Sequence, residues 1–553
     1  MRRSDSSTGT VRSGLSLGSG TGGKIATAAL SGVALGLAFP KFDLSLLAWV
    51  AFIPLLMVVD GESGRRVFGY AWLQGWACYL VSMYWVTYTL NHFAGVSWIV
   101  ACGPLMLLAA VMALYTGLAL WVAEFVARRI AVPLLVTLPI AWVAAEWLRS
   151  FFPIGFPWNF LGYAAWRDQG LIQFAEITGV YGVSALIMFF NAVVFTVLFT
   201  RHSRRIQTWS LSALTVLMLA ALASGTARMH MLEEEQPAGR LRVAMVQGDI
   251  PQSIKWDPAF LESSFNIYMS QTQAAAQGSV DLMIWPEAAA AFFFQPDNNY
   301  PAQFTGDMAY RNRLLEMARE IHIPVLLGAP ALGVADGRLG IYNRAYMVTD
   351  SGRIDGYYDK IQLVPFGEYV PFRPLLGFFV DKIVHGFGDL IPGTSQTIFD
   401  VKGARLGVLI CYESVFPDLT RRAVDKGADV MVNITNDAWY GKSSAPYQLL
   451  ALAAMRSVET KVPMVRVANT GISAVIEPDG RIIAPTPLFK RGTEIEDVAW
   501  RPVRTIYTRV GDLFAEACFM LTMAGLIAGA IRPAPPPTPA VRPSSLLSPN
   551  GRG

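Results

Sequence analysis

Three residues suited to acyl-transfer chemistry stand where apolar runs stop. Cys411 closes Gly407-Val-Leu-Ile-Cys411, Glu287 closes Leu282-Met-Ile-Trp-Pro-Glu287, and Lys360 follows Tyr357-Tyr-Asp. A second acid, Glu368, lies in Val364-Pro-Phe-Gly-Glu368-Tyr-Val-Pro371. A buried strand that ends in a cysteine fixes the sulfur, and the turn after it exposes the atom, which suits a nucleophile. A free thiol has a pKa of about 8.5, so it needs help at neutral pH. A carboxylate can take its proton, and an ammonium can lower its pKa and neutralise an oxyanion. Each residue also has a plainer reading. Most free cysteines are small buried hydrophobes, and Glu287 and Lys360 would serve as solvated charges at strand ends.

The elements that must position these residues lie in a segment, 241–500, where hydropathy drops and short strands alternate with helical patterns. Strands are expected at 241–246, 280–285, 324–327, 342–348, 353–358, 406–410, 430–434, 464–467, 475–477 and 481–483, with helices at 312–321, after Cys411 to about 426, and at 447–460. Thr349-Asp-Ser-Gly352 and Pro478-Asp-Gly480 are hairpin signals. Mixed strands and helices in a segment of this size predict a layered α/β domain.

The rest of the chain is of another kind. Over 553 residues, 53% are hydrophobic, only 16% are charged, and the mean hydropathy is +0.38, which excludes an ordinary soluble protein. A net charge of +4 leaves no footprint for nucleic acid. No CxxC or Cys/His cluster suggests a metal, and no cofactor motif stands out. Cys78, Cys102 and Cys518 lie in apolar segments, so Cys411 has no expected disulfide partner.

Apolar runs at 25–39, 44–59, 68–90, 97–125, 130–147, 177–199, 208–224 and 513–531 predict a multi-pass α-helical membrane bundle of about eight spans. A span takes about 20 apolar residues, so the first two runs would also fit a tight hairpin. The expected organisation is a disordered tail at 1–23, a seven-span bundle at 24–226, the α/β domain at 241–500, a last span at 512–531, and a Pro-rich tail at 532–553. Arginines and lysines cluster before the first run and in alternate loops at 65–66, 128–129 and 201–205, while the intervening loops carry only Lys41, Arg149 and Arg167. This asymmetry puts the N-terminus in the cytoplasm and the α/β domain outside. The aromatic, Pro/Gly-broken loop 151–163 reads best as an interfacial aromatic belt. A loop turned toward the α/β domain is the alternative.

The order Glu287, Lys360, Cys411 resembles the nitrilase (carbon–nitrogen hydrolase) superfamily, whose sites carry a Glu-Lys-Cys triad on an αββα sandwich. Together with the spans, the chain resembles the apolipoprotein N-acyltransferase family. The matching strings are Glu146-Trp-Leu-Arg149, Phe156-Pro-Trp158 with Leu161-Gly-Tyr163, Pro251-Gln-Ser-Ile-Lys-Trp256, Trp285-Pro-Glu287, Tyr342-Asn-Arg344, Leu363-Val-Pro-Phe-Gly-Glu368, Cys411-Tyr-Glu413, Asn436-Asp-Ala-Trp439 and Asn469-Thr-Gly-Ile-Ser473.

The resemblance implies an acyl group passed from a phospholipid to a thioester on Cys411, then to the α-amino group of a diacylglyceryl-cysteine on an apolipoprotein, at a bacterial inner membrane. It implies Glu287 as base, Lys360 as oxyanion partner, Glu368 in support of Lys360, and Trp256, Tyr412, Glu413, Trp439 and Tyr440 in substrate binding or gating. The chain departs from the pattern at Asp249, where Asn is common, at Tyr440, where Phe is common, and at Leu449, where His often follows the Gln. A membrane-tethered amidase is the alternative enzyme, with water in place of the amine. A catalytically dead scaffold is disfavoured by the intact Glu287, Lys360, Cys411 and Glu368, and a transporter by the scarcity of charge within the spans.

Overall fold

Apolar sequence from residue 20 onward folds as packed helices. The computed structural model describes residues 20–93, 95–200, 202–295, 307–335, 338–372 and 390–532. Most of the expected N-terminal tail and nearly all of the Pro-rich tail lie outside the described residues. The helices are α1 (Thr21–Leu37), α2 (Phe52–Val59), α3 (Gly64–Ser82), α4 (Trp85–Phe93), α5 (Trp98–Ile130), α6 (Leu134–Arg149), α7 (Val180–Phe199) and α8 (Arg204–Glu234). α1 lies close on α3 because Gly32 and Gly36 leave room. A Cβ on Gly32 would come 2.1 Å from the Gln74 carbonyl oxygen.

Among the described residues, α5, α7, α8 and the C-terminal helix Leu513–Ile531 are long and apolar enough to cross a membrane. Trp209, Leu211, Val216, Leu217 and Leu219 of α8 are exposed, a stripe suited to lipid and not to water. The other expected spans are shorter or interrupted. The run 44–59 is a single 3₁₀ turn, Ser45–Trp49, followed by the short α2. Its break is held by buried Asn191, which accepts from the Phe52 N–H at 3.1 Å and donates to the Ala48 carbonyl at 3.0 Å. The run 68–90 divides into α3 and α4, and the Ser82 carbonyl freed at the break accepts from Gln448 Nε2 at 2.8 Å.

The second half builds two six-stranded sheets. The first contains β1 (Gly239–Gln247), β2 (Leu282–Ile284), β3 (Val325–Ala335), β4 (Arg338–Val348) and β5 (Ile354–Asp359), with α9 (Pro258–Ala275) and α10 (Asp307–Ile321) between its strands. The second contains β6 (Ile398–Val401), β7 (Ala404–Ile410), β8 (Val430–Thr435), β9 (Met464–Ala468), β10 (Ala474–Ile476) and β11 (Ile482–Ile483), with α11 (Pro417–Asp425) and α12 (Ala445–Thr460). β12 (Gly492–Trp500) then returns to the first sheet, and α13 (Leu513–Ile531) packs on α5 and α6. The strand orders are β12-β1-β2-β3-β4-β5 and β11-β10-β9-β8-β7-β6. Each sheet has a parallel centre, β1/β2/β3 and β7/β8/β9, with antiparallel edges.

Period-two burial assigns the faces. Leu241, Val243 and Met245 of β1 meet Val408, Ile410, Val432 and Val467 of the other sheet, while Ala244 and Val246 face α9 and α10. The outer face of the second sheet packs under α11 and α12, in one continuous core with the helix bundle. The α/β domain is thus an αββα sandwich, and one of its helical layers is seated on the bundle.

Candidate active site

β7 is apolar and buried from Leu406 to Ile410, and it delivers Cys411 at the end of the parallel centre of its sheet. Cys411 has φ +54°, in the left-handed region that costs a side-chain-bearing residue roughly 1–2 kcal/mol. A 3₁₀ turn, Cys411–Val415, follows. What holds the bend is Glu413. Its Oε2 accepts from the Ile410 N–H at 2.7 Å, and its Oε1 accepts from the Ile361 N–H, the Gln362 N–H and the Tyr358 hydroxyl at 2.6, 3.0 and 2.8 Å. One buried carboxylate therefore ties the end of β7 to the end of β5, the strand that leads into Lys360. Burial pushes Glu413 up to about 7, and its oxygens are taken by protein donors.

Lys360 is buried, with Nζ 2.9 Å from Glu368 Oε1 and 3.4 Å from Glu287 Oε1. Asn343 on β4 donates to both of those oxygens, at 3.1 and 2.8 Å. Glu368 Oε2 accepts from the Val364 N–H at 2.8 Å, and Glu287 Oε2 accepts from the Asn436 N–H at 2.8 Å. Cys411 is buried beside this cluster, where the Glu287 and Lys360 charges both act on its thiol.

The electrostatics fix the resting protonation. Burial, reinforced by the Glu287 charge, pushes the Cys411 thiol up to about 12 against the opposing pull of Lys360. Burial disfavours a charged Glu287, but Lys360, Asn343 and Lys255 together hold it below the usual carboxylate range. Lys360 is raised: burial works against its charge, and Glu368 and Glu287 outweigh burial. The site at rest is a neutral thiol beside an ionised carboxylate and an ammonium, the state in which a base can take the thiol proton as the sulfur attacks.

Of the aromatic residues expected around the site, Tyr412, Trp439 and Tyr440 face the bundle. The Tyr412 ring stacks near Trp158 with centroids 6.3 Å apart, and its hydroxyl donates to the Gly155 carbonyl at 3.4 Å. Tyr440 meets Trp85 edge-on at 5.1 Å, and the half-exposed Trp439 meets Phe93 at 5.0 Å. Trp256 is half-buried beside Lys255. The loop 151–163 fits the interfacial belt that its composition suggested only at its start, where Phe151 and Phe152 are exposed. Trp158, Phe160 and Tyr163 are buried, and Trp158 Nε1 donates to Gln448 Oε1 of α12 at 2.8 Å. Glu146 holds the loop from below by accepting from the Leu161 N–H at 2.6 Å and from Trp142 Nε1 at 2.9 Å.

Residues 31–193 match the model of the apolipoprotein N-acyltransferase N-terminal domain, and residues 242–506 match that of carbon-nitrogen hydrolase. The apolipoprotein N-acyltransferase of Geobacter metallireducens is 40% identical over 495 residues, spanning 89% of this chain and 92% of its own length. The chain belongs to the apolipoprotein N-acyltransferase family. Members from Methylococcus capsulatus and Rhodopseudomonas palustris are 32% and 30% identical, over 83% and 90% of this chain and 87% and 93% of their own.

Sequence reasoning did not single out Asn343, Asn436, Lys255 or the buried Arg466–Asp437 pair at 2.8 Å as site residues. All but Arg466 fall inside the strings that carry the family resemblance. Position in such a string was the available signal. Of the departures, Asp249 has φ +52°, a conformation that Asn and Asp tolerate better than most residues. Leu449 is packed in the core that α12 shares with the bundle.

Proposed function

We propose that this chain transfers an acyl chain from a membrane phospholipid to the α-amino group of the N-terminal diacylglyceryl-cysteine of apolipoproteins, in two steps through Cys411. Glu287 takes the thiol proton as Sγ bonds to the ester carbonyl carbon. Lys360 and the backbone N–H after Cys411 hold the oxyanion. The intermediate collapses, the lysophospholipid oxygen leaves with the proton from Glu287, and a thioester remains. The acceptor amine then attacks, Glu287 takes its proton, and the thiolate leaves and recovers it. Glu368 keeps Lys360 in place. Trp256, Tyr412, Trp439 and Tyr440 line or gate the acyl path, and Glu413 acts by positioning.

The observation that carries this reading is that Cys411, Glu287 and Lys360 form one buried cluster whose aromatic surround is shared with the bundle. Two lipid-anchored substrates meet more readily at a surface than in solution, and a thioester survives only if water is excluded. The reading includes the domain limits expected from the sequence, eight crossings with the shorter helices completing the bundle, and a catalytic domain on the periplasmic side of the inner membrane.

The test is transfer from labelled phospholipid to a diacylglyceryl-cysteine peptide, scored against hydrolysis, with intact-mass analysis of the protein. An acyl adduct on Cys411 that the peptide discharges is expected, and Cys411→Ser should lose transfer while still inserting. Release of free fatty acid with no peptide product would favour the amidase-like alternative. Transfer by Cys411→Ala would overturn the mechanism.

A further inference from the structure

A second lysine reaches the cluster from an element that the triad does not use. Lys255 sits on the turn between β1 and α9, which is closed by the Ile254 N–H to the Pro251 carbonyl at 3.2 Å. The turn is stapled to the site. Asn436, whose N–H donates to Glu287, also donates through Nδ2 to Gln252 Oε1 at 2.7 Å. Asn469 brackets Ile250 through both of its backbone groups, at 3.0 and 2.8 Å. Lys255 is only 3% exposed, and its Nζ donates to the backbone carbonyl of Glu287 at 3.0 Å. An ammonium is rarely buried without an opposing charge, and the charged or ionisable groups it interacts with are Glu287 and Cys411.

The charge balance gives this residue a task. Glu287 and Glu368 bring two negative charges into a buried site and Lys360 brings one positive charge. Lys255 makes the set neutral. We propose that Lys255 is a positioning residue of the acyl-transfer site, anchoring the Glu287 peptide through its carbonyl and supplying the charge that keeps the Glu287 carboxylate ionised as base. The inference rests on the roles given above to Glu287 and Cys411. Other ionisable groups facing this pair are Lys360, Glu368, Asp437 with its partner Arg466, and Tyr440. Burial draws Lys255 down to about 8 against the pull of Glu287 and Cys411, so it is still mostly charged at neutral pH. Without that charge, Glu287 would hold its proton to higher pH, and the acidic limb of the activity profile would move up.

Two variants separate charge from anchor. Lys255→Gln retains an N–H donor for the Glu287 carbonyl without the charge, and Lys255→Arg retains the charge. The measurement is the rate at which the full-length protein, in phospholipid-containing micelles, forms the Cys411 acyl adduct between pH 3 and 8, a range that spans the acidic limb of a carboxylate held below its usual range, followed by intact mass. Lys255→Gln should move the acidic limb upward by about one pH unit, the scale of a neighbouring-charge effect, and Lys255→Arg should leave it near the wild-type position. A slower Lys255→Gln with an unmoved limb would overturn the proposal and leave a packing role. So would a limb displaced equally in both variants. No adduct in the wild type at any pH would instead sink the reading of Cys411 and Glu287 on which the inference stands.

Discussion

Cys411 is buried beside an anion and near two cations, so its reactivity follows from a competition between charges and burial. Because the Glu287 charge raises the thiol pKa and Glu287 is also the proposed base, its two effects can be separated. In Glu287→Gln the thiol should ionise at lower pH, and iodoacetamide should modify Cys411 faster than in the wild type at pH 8 to 9. Acyl transfer should nevertheless fall by roughly 10²–10⁴-fold, the usual worth of a general base. Unchanged or slower alkylation would contradict the electrostatic account. Glu413 poses a different question, because four donors converge on its two oxygens. Glu413→Gln must turn an NH₂ toward at least one of them, at a cost of about 1–3 kcal/mol for a buried mismatched group. A lower thermal midpoint is expected. The folded chain holds the Glu413 proton up to about 7, against an ordinary 4.5. Its contribution to stability is therefore fully present below pH 4.5 and is lost as pH rises through 7. Melting curves across that window should show this slope in the wild type and a weaker one in the variant.

Among the elements, helix breaks matter as much as helices. The broken segment before α2 persists because Asn191 takes both backbone groups released at the break. Asn191→Leu leaves a buried N–H and a buried carbonyl unpaired, and each such group costs about 1–3 kcal/mol. The variant should unfold at lower temperature in detergent, measured against Ser224→Ala on α8 as a control. A midpoint equal to the control would mean that the break holds itself. The α3/α4 break uses a catalytic-domain residue, Gln448, which also donates to the Pro40 carbonyl at 2.8 Å and accepts from Trp158. The same side chain thereby sets two turns of the bundle and one helix of the sandwich.

For the whole molecule, the decisive contact is the seating of α12 on the bundle. Arg456 and Glu459 are fully buried there, with Arg456 donating to the Tyr163 hydroxyl at 2.9 Å and Glu459 accepting from the Val180 N–H at 2.9 Å. Removing one partner of such a pair costs about 3–5 kcal/mol, because the other is left as a buried unpaired charge. Arg456→Met should therefore loosen the domain, read as faster proteolysis between α8 and β1. Arg456→Met with Glu459→Met should recover part of the loss. Equal proteolysis in all three proteins would mean that the pair does not carry the seating. The topology has its own check. A reporter fused after Ile531 should be active in the cytoplasm, and a periplasmic signal would overturn the eight-span count.

Local sequence alone pointed to the candidate acyl-transfer residues and gave their order along the chain. The runs before Glu287 and Cys411 are strands buried on both faces, which read as continuous apolar sequence, while Lys360 follows the half-exposed β5. Both expected hairpins form, at Gly352 and Gly480, where φ is positive. The edge strands β6 and β12 and the helix α9 went unread, since their mixed polar patterns gain their partners only across the sheet or from the neighbouring layer. Hydropathy found the bundle but not its breaks, because the groups that cap them, Asn191 and Gln448, lie more than 100 residues away. The part of the loop 151–163 from Trp158 onward departs from the belt reading for the same reason: aromatic composition does not say whether lipid or a protein domain will cover it. Lys255 was only one letter in a string until the tertiary fold carried its ammonium to the carbonyl of Glu287. Strand ends are written in local periodicity. Which charges share one buried site is decided by how the two sheets and the bundle close on each other.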